Sequence, residues 1–445
     1  MARQVDFYNT GESVTDRNEN RPGYKKTKVG WIPDQWHCVY LSDVAKVQTG
    51  LAKGKKNIVN PIKLPYLRVA NVQDGFLDLH KIKKIQVEEN MVERYLLRNG
   101  DILFTEGGDF DKLGRGTIWR DEIPKCLHQN HVFAVRCDTK KLFPYFLASI
   151  ASGPYGRRYF LLSSKQSTNL ASINTTQLKR FPLPLPSIFE QKKIAEILST
   201  WDAAIEQTRK LIDATKRRKK AFMQQLLTGC IRFFKFGKPP LKNGDIPPGW
   251  QMVNLKNFAT PVKRKNIKGI DRVLTASGEF GLIDQNAFFN RSVAGQSLKD
   301  YYLLKKGEFA YNRSSMKNYP YGATKRLDRY EEGILSTLYI CFSITNDWGN
   351  SDYFMHLFES GLLNRELRRI TQVGARAHGL LNVTLKDFFS IKVSQPSHEE
   401  QSRIAEILST ADSEINQLER KLKALEKQKR GLMQKLLTGE IRVKY

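Results

Sequence analysis

The sequence predicts an α+β chain in which two unlike mixed α/β blocks alternate with two long, closely related helices, a pseudo-twofold internal repeat. Three observations carry this reading. Residues 190–200 read EQKKIAEILST and residues 400–410 read EQSRIAEILST, while MQQLLTGCIR (223–232) returns as MQKLLTGEIR (433–442), always at an offset of 210. About half of positions 191–233 are identical in the two copies. The stretches between, about 45–180 and 260–385, look unlike each other.

Taken in order, residues 1–29 read as a polar N-terminal arm and 30–186 as the first block. Short apolar runs such as Ile102-Leu103-Phe104 and His131 to Val135 predict strands, separated by glycine-rich turns at Asp74-Gly75, Gly107-Gly108-Asp109 and Gly114-Arg115-Gly116. Residues 187–233 form the first shared helix, 234–249 a linker, 250–396 the second block and 397–445 the second shared helix. In the second block Leu338 to Phe342 predicts a strand and Tyr353 to Arg369 a helical stretch. Each block opens on a weak echo: Ile32-Pro33-Asp34-Gln35-Trp36 answers to Ile246-Pro247-Pro248-Gly249-Trp250.

The shared helices are strongly punctuated. Ser187 with Glu190, and Ser397 with Glu400, have the spacing of a capping box. Gly229 and Gly439 stand where a left-handed residue ends a helix. The span between is roughly 60 Å at 1.5 Å per residue. Along it the apolar positions step by four and three. The first seam is Ile194, Leu198, Trp201, Ile205, Thr208, Ile212, Thr215, Lys219, Phe222 and Leu226. The second is Ile404, Leu408, Ala411, Ile415, Leu418, Leu422, Leu425, Lys429, Leu432 and Leu436. Such heptads predict a left-handed coiled coil. Lys219 and Lys429 occupy the same seam position, where a lysine either fixes register or snorkels out of a splaying end.

Composition narrows the function. Lys and Arg number 73 against 45 acids, a net charge of +28, which predicts a polyanionic partner, nucleic acid before acidic lipid. Most of that excess lies outside the shared helices, which therefore read as spacer and scaffold. No apolar run approaches the ~18–20 residues of a membrane span, and Met1 to Asp6 lacks a signal-peptide core. Five scattered cysteines without a CxxC pair suit a reducing, cytoplasmic setting.

Catalytic motifs are scarce. Gly50-Leu51-Ala52-Lys53-Gly54-Lys55 has the wrong spacing for a phosphate loop, and there is no HExxH, no GxSxG, and no Asp-Pro-Pro-Tyr or Asn-Pro-Pro-Tyr to clamp a flipped adenine. Cys126, His128 and His131 are the best metal candidates, but on a strand their side chains alternate between faces, so they read as structural and no metal is expected.

The two EQ…IAEIL…LLTG helices, the I-P-x-x-W openings and the dissimilar blocks between them resemble the DNA-specificity subunits of type I restriction–modification systems. Leu97-Arg98-Asn99-Gly100-Asp101-Ile102-Leu103, echoed by Leu304-Lys305-Lys306-Gly307-Glu308-Phe309-Ala310, also resembles that family's block pattern. The resemblance covers nearly the whole chain. It implies that each block is a target recognition domain reading one half of a split, asymmetric site on double-stranded DNA. It implies that the helices pack antiparallel and set the gap between the halves. It further implies a chain without catalytic activity or cofactor of its own, joined to two modification subunits that use S-adenosylmethionine to methylate adenine. Restriction subunits that use ATP and magnesium to translocate and cleave DNA would complete the complex. Independently, near-identical helices would let two copies of one partner dock equivalently.

Base readout needs polar side chains on loops able to enter a groove. The candidates are Arg115, Gln166, Thr168 and Asn169 in the first block, and Asn312, Arg313, Arg376 and His378 in the second. Residues 163–169 and 374–379 stand in equivalent places before their helices. Lys53, Lys55, Lys56, Lys263, Arg264 and Lys265 are candidate phosphate contacts, which position without specifying. Two other classes remain open on the residues alone: an enzyme with its own site, which the missing motifs disfavour, and a coiled-coil adaptor for acidic proteins.

Overall fold

A computed structural model describes residues 18–53, 58, 60–108, 113–166, 171–240, 242, 244–278, 281–289, 298–315, 319–345, 349–371 and 381–444. The chain divides into two compact units, Met1–Thr208 with Lys421–Tyr445, and Arg209–Arg420. Each unit thus takes one block, the start of one long helix and the end of the other. The long helices are Ile188–Leu226 and His398–Leu437.

The first unit is built on a four-stranded antiparallel sheet in the order Ala45–Thr49, Val132–Cys137, Ile102–Thr105, Gly116–Ile118. Its central strand, Ile102–Thr105, is buried along its whole length, as an unbroken Ile-Leu-Phe run requires. The helix Pro144–Ser152 and the start of the first long helix join the sheet in one core containing Trp36, Phe104, Phe146, Phe160, Ile194 and Leu198. Leu436 and Leu437, from the end of the second long helix, belong to that same core. A second sheet, Leu127–His128, Pro61–Leu67 and Lys83–Glu88, stands beside it.

The second unit repeats the frame. Its sheet runs Ala259–Pro261, Ile340–Ile344, Phe309–Asn312, Ala323–Arg326, also antiparallel. The helix Ser351–Glu359, Ile404 and Leu408, together with Leu226 and Leu227 from the end of the first long helix, complete its core. The two blocks therefore share a sheet that their sequences conceal. The 97–103 and 304–310 echo marks the turn into each central strand: Gly100 and Gly307 take φ +88° and +86°, a region open to glycine. The acid that follows closes the turn, Arg98 N donating to Asp101 Oδ2 (2.8 Å) and Lys305 N to Glu308 Oε2 (2.8 Å).

The repeated helix motifs and the I-P-x-x-W openings meet in one knot per unit. In the first, Trp36 Nε1 donates to Glu190 Oε2 (3.0 Å), and Arg442 donates to both Glu190 oxygens (2.6 and 3.0 Å). In the second, Trp250 Nε1 donates to Glu400 Oε2 (3.0 Å), and Arg232 donates to both oxygens of Glu400 (2.9 and 2.8 Å). The helix-ending glycines, Gly439 (φ +71°) and Gly229 (φ +69°), lie so close to Pro33 and Pro247 that a Cβ on either would overlap the proline ring. Each knot thus takes its Pro, Trp and Glu from one repeat and its Gly and Arg from the other. Next to them, Gln191 Oε1 accepts from Phe143 N (2.9 Å) and Gln401 Oε1 from Asn350 N (2.8 Å), tying each helix start to its block.

Within each unit the two long helices run antiparallel. In the first, Lys429 pairs with Asp202, and in the second Lys219 Nζ meets both oxygens of Asp412 (2.6 Å each) while Lys216 meets Glu419 (2.7 Å). The seam lysines therefore have equivalent aspartate partners. Most seam positions are buried: Ile194, Leu198, Ile205, Thr208, Ile212, Thr215, Leu226, Ile404, Leu408, Ala411, Ile415 and Leu436. Trp201, Leu418, Leu422, Leu425 and Leu432 are half-buried. Phe222 departs from the seam, being 36% exposed. Its neighbour Met223 packs on the second core instead.

Of the polar arm, residues 18–29 are among those described. Tyr24–Thr27 pairs with Gly30–Pro33 as a hairpin. Asn18 is buried with Nδ2 donating to Thr438 O (3.4 Å), and Arg21 Nη1 donates to Glu440 O (3.1 Å). These polar side chains thus tie the arm to the turn that follows the second long helix.

Candidate nucleic-acid interface

In each unit the chain leaves the central strand, makes an excursion and returns. Ile173 N donates to Glu106 O and Leu381 N to Arg313 O, 2.7 Å in both. These excursions carry most of the candidate base readers.

In the first unit Arg115 follows Gly114, whose φ of +63° and proximity to the Phe160 ring admit no side chain. Thr105 N donates to Arg115 O (2.9 Å), fixing the loop to the central strand. The Arg115 guanidinium donates from Nη1 to Gln73 Oε1 (2.9 Å), and Gln73 Nε2 donates to Ala70 O (2.9 Å). Arg115 is thereby oriented by the turn at Asp74-Gly75, which the sequence marks as a glycine turn but not as a source of base readers. That loop is joined again by Gly75 N donating to Gly116 O (3.0 Å) and by an ion pair between Asp74 and Arg157. Gln166 is exposed on Lys165–Gln166, which pairs with Ala171–Ser172, and that strand pairs with Gly107–Gly108. Its Nε2 donates to Leu161 O (3.0 Å). The described residues around 73–76, 107–108, 113–116, 164–166 and 171–172 are thus linked by backbone hydrogen bonds, Gly75 to Gly116 on one side and Ala171–Ser172 to both Lys165–Gln166 and Gly107–Gly108 on the other. Thr168 and Asn169 lie outside the described residues.

In the second unit Asn312 ends the central strand, its Oδ1 accepting from Ser314 N (3.1 Å). Arg313 is turned inward. Nε donates to Leu338 O (2.6 Å), with longer bonds from Nη1 to Val383 O and Nη2 to Thr337 O. A guanidinium holding three carbonyls ties the excursion to the sheet, which leaves Asn312 the more available of the two. Arg376 and His378 lie outside the described residues.

Among the candidate phosphate contacts, Lys53 and Lys263 are exposed. Arg264 pairs with Glu308, and Lys265 donates to Asp300 O (2.7 Å) beneath the Tyr302 ring. Lys55 and Lys56 lie outside the described residues.

Cys126, His128 and His131 do not converge. His128 Nδ1 is bonded to Val132 O (2.7 Å), and burial lowers its pKa to about 4. Burial pushes the Cys126 thiol up to about 12, and His131 pairs with Glu106. No cluster of three or more metal-ligating side chains occurs among the described residues. Nor, among them, is any helix long and apolar enough to cross a membrane.

Comparison with known proteins bears on this arrangement directly. The profile of the type I restriction modification DNA specificity domain matches twice, at residues 33–216 and 247–427. The chain belongs to the type I restriction–modification DNA-specificity family. Each match covers one block and most of its following helix, so the repeat seen in sequence is two copies of the family's domain. Among relatives, the MjaX specificity subunit of a type I restriction enzyme from Methanocaldococcus jannaschii is 29% identical over 437 residues, spanning 95% of this chain and 97% of the relative. The solved S subunit of a type I restriction–modification system from M. genitalium aligns with a TM-score of 0.51 at 14% identity, over 90% of this chain and 96% of its own. A second structure, from work on complex assembly and conformational transition of the type I system, aligns at 0.52 and 14% identity, over 92% and 99%. At these identities the structures speak for the fold: two specificity domains on long helices.

Proposed function

We propose that this specificity subunit recognises a bipartite, asymmetric DNA site, one half by each block, and directs partner subunits to it. The carrying observation is the pair of equivalent knots: Trp36–Glu190–Arg442 and Trp250–Glu400–Arg232 build two like frames, and each frame presents a different excursion beyond its central strand. Like frames suit two copies of one partner. Unlike excursions suit two different base sequences. The charge of +28 supplies the sequence-independent attraction to phosphate.

In this reading Arg115, Gln166, Thr168, Asn169, Asn312, Arg376 and His378 read base edges, while Arg313 holds its loop in shape. Lys53, Lys55, Lys56, Lys263, Arg264 and Lys265 serve the backbone. Two modification subunits carrying S-adenosylmethionine methylate adenine, restriction subunits carrying ATP and magnesium cleave, and the complex works in the cytoplasm where its DNA lies.

The test is methylome sequencing of cells that carry the modification subunits with and without this chain. A split methylated motif should appear only when the chain is present. Exchanging residues 30–186 for the first block of a relative should change one half of the motif and spare the other. A motif that survived loss of the chain would overturn the proposal.

A further inference from the structure

The turn Gln73-Asp74-Gly75-Phe76 holds a large apolar side chain out of the core on a rigid mount. Phe76 is 58% exposed. Its neighbours in sequence behave oppositely: Leu77, Leu79 and Ile82 pack against a core of Leu67, Val72, Leu97 and Trp119. The turn itself is over-determined. Gln73 N donates to Phe76 O (3.0 Å), Gly75 takes φ +83°, and Val72 bridges Leu77. From outside, Gly75 N is held by Gly116 O, Gln73 by Arg115 and Asp74 by Arg157. A largely exposed aromatic ring, displayed on a turn braced from three sides, is fitted to meet something.

The surroundings say what. Asn71 Nδ2 donates to Asp78 O (2.8 Å) and Lys81 O (3.3 Å), and Arg68 Nη2 donates to Lys81 O (3.0 Å). These bonds draw the exposed segment His80, Lys81, Lys83 and Lys84 back to the base of the same turn. On its other flank the turn carries Arg115. An apolar tip between cations suits a polyanion with apolar edges inside it, which is duplex DNA. Cations hold the phosphates while the ring meets thymine methyls or unstacks a base step.

We propose that Phe76 is a base-contacting, specificity-determining residue of the first block, entering the groove of its half-site beside Arg115. The proposal rests on the DNA-recognition reading above and adds a contact that the polar candidates do not supply. A ring reads by shape and apolarity, so it discriminates against bases that offer neither. Gln73 and Asp74 are positioning residues that aim it.

The experiment uses the full chain assembled with its modification subunits and three duplexes: the methylated motif found in cells, and that motif with either half scrambled. If the wild-type complex shows no preference among them, the DNA-recognition reading itself fails. If it does prefer the motif, Phe76→Ala should lose about tenfold or more in affinity for it, the scale of one lost base contact. It should lose little on the duplex whose first-block half is scrambled, and the in-cell motif should relax in that half alone. Equal loss on all duplexes, an unchanged motif, or failure of the variant to assemble with its modification subunits would overturn the assignment, the last pointing to a protein partner. Phe76→Lys guards against a folding artefact. It should bind the scrambled duplexes more tightly than wild type and discriminate less; binding unchanged on every duplex refutes the proposal.

Discussion

Glu190 and Glu400 show how much a single side chain settles here. Each is a buried carboxylate held by an indole and a guanidinium, and Arg232 and Glu400 are only 3% and 2% exposed. Removing one member of such a pair strands the other in low dielectric. Arg232→Met should therefore destabilise the chain by roughly 3–5 kcal/mol in denaturant titration, more than Arg442→Met, because Arg442 is partly solvated. Equal effects of the two would argue against burial as the cause. Two histidines add an acid sensitivity. His128 and His356 are both lowered to about 4, chiefly by burial. His356 Nε2 bonds Ser409 Oγ (3.1 Å), and the charges of Lys219, Asp412, Glu359 and Asp352 act on it. Both rings are neutral in the fold, whereas an unfolded histidine takes its proton near pH 6.5. The unfolded chain thus binds more protons as pH falls, so stability should be complete above about 6.5 and decline until about 4, by roughly 3 kcal/mol per ring at most. Ring signals that titrate near 6.5 in the folded protein would contradict this.

At the scale of elements, the helices were legible and so were strand runs such as Ile102 to Phe104 and Val132 to Val135, but how the strands pair into sheets was not. Capping serines, terminal glycines and heptad spacing are local signals, and Ser187, Gly229, Ile194 and Leu408 took the places they predict. The seam lysines were ambiguous because a lysine's partner cannot be read from its own helix. Only the fold brings Asp412 to Lys219. Reversing Asp412 to Lys should cost about 1–3 kcal/mol, allowing for the partial exposure of Asp412, and Lys219→Asp in the same chain should recover part of it. Failure of that rescue would mean the pair does not set register. The shared four-stranded sheet escaped because its pairings are long-range and its strands keep burial rather than identity. One glycine-acid turn, Gly100-Asp101 against Gly307-Glu308, was the visible remnant. Polar loop composition nominated Arg115, Gln166 and Arg313 alike, and it could not tell that Arg313 would be spent on carbonyls. Nor could it show that Phe76 would be left outside.

For the molecule as a whole, the decisive feature is that each core borrows from the far repeat. Leu436 and Leu437 lie with Trp36 in the first core, and Leu226 and Leu227 with Trp250 in the second. Deleting residues 433–444 should consequently weaken the first unit and spare the second. Limited proteolysis would report this as early cutting within residues 30–186, and uniform cutting of both blocks would speak against it.

The same borrowing sets an order of birth. A ribosome that has finished the first block and begun the helix after it has made Trp36 and Glu190 but not Arg442, so the first frame waits, open at one side, for more than two hundred further residues. The second frame already has its Arg232 when Glu400 emerges. The half made first is thus the half completed last, and its unfinished core is the surface that the nascent chain must keep from straying.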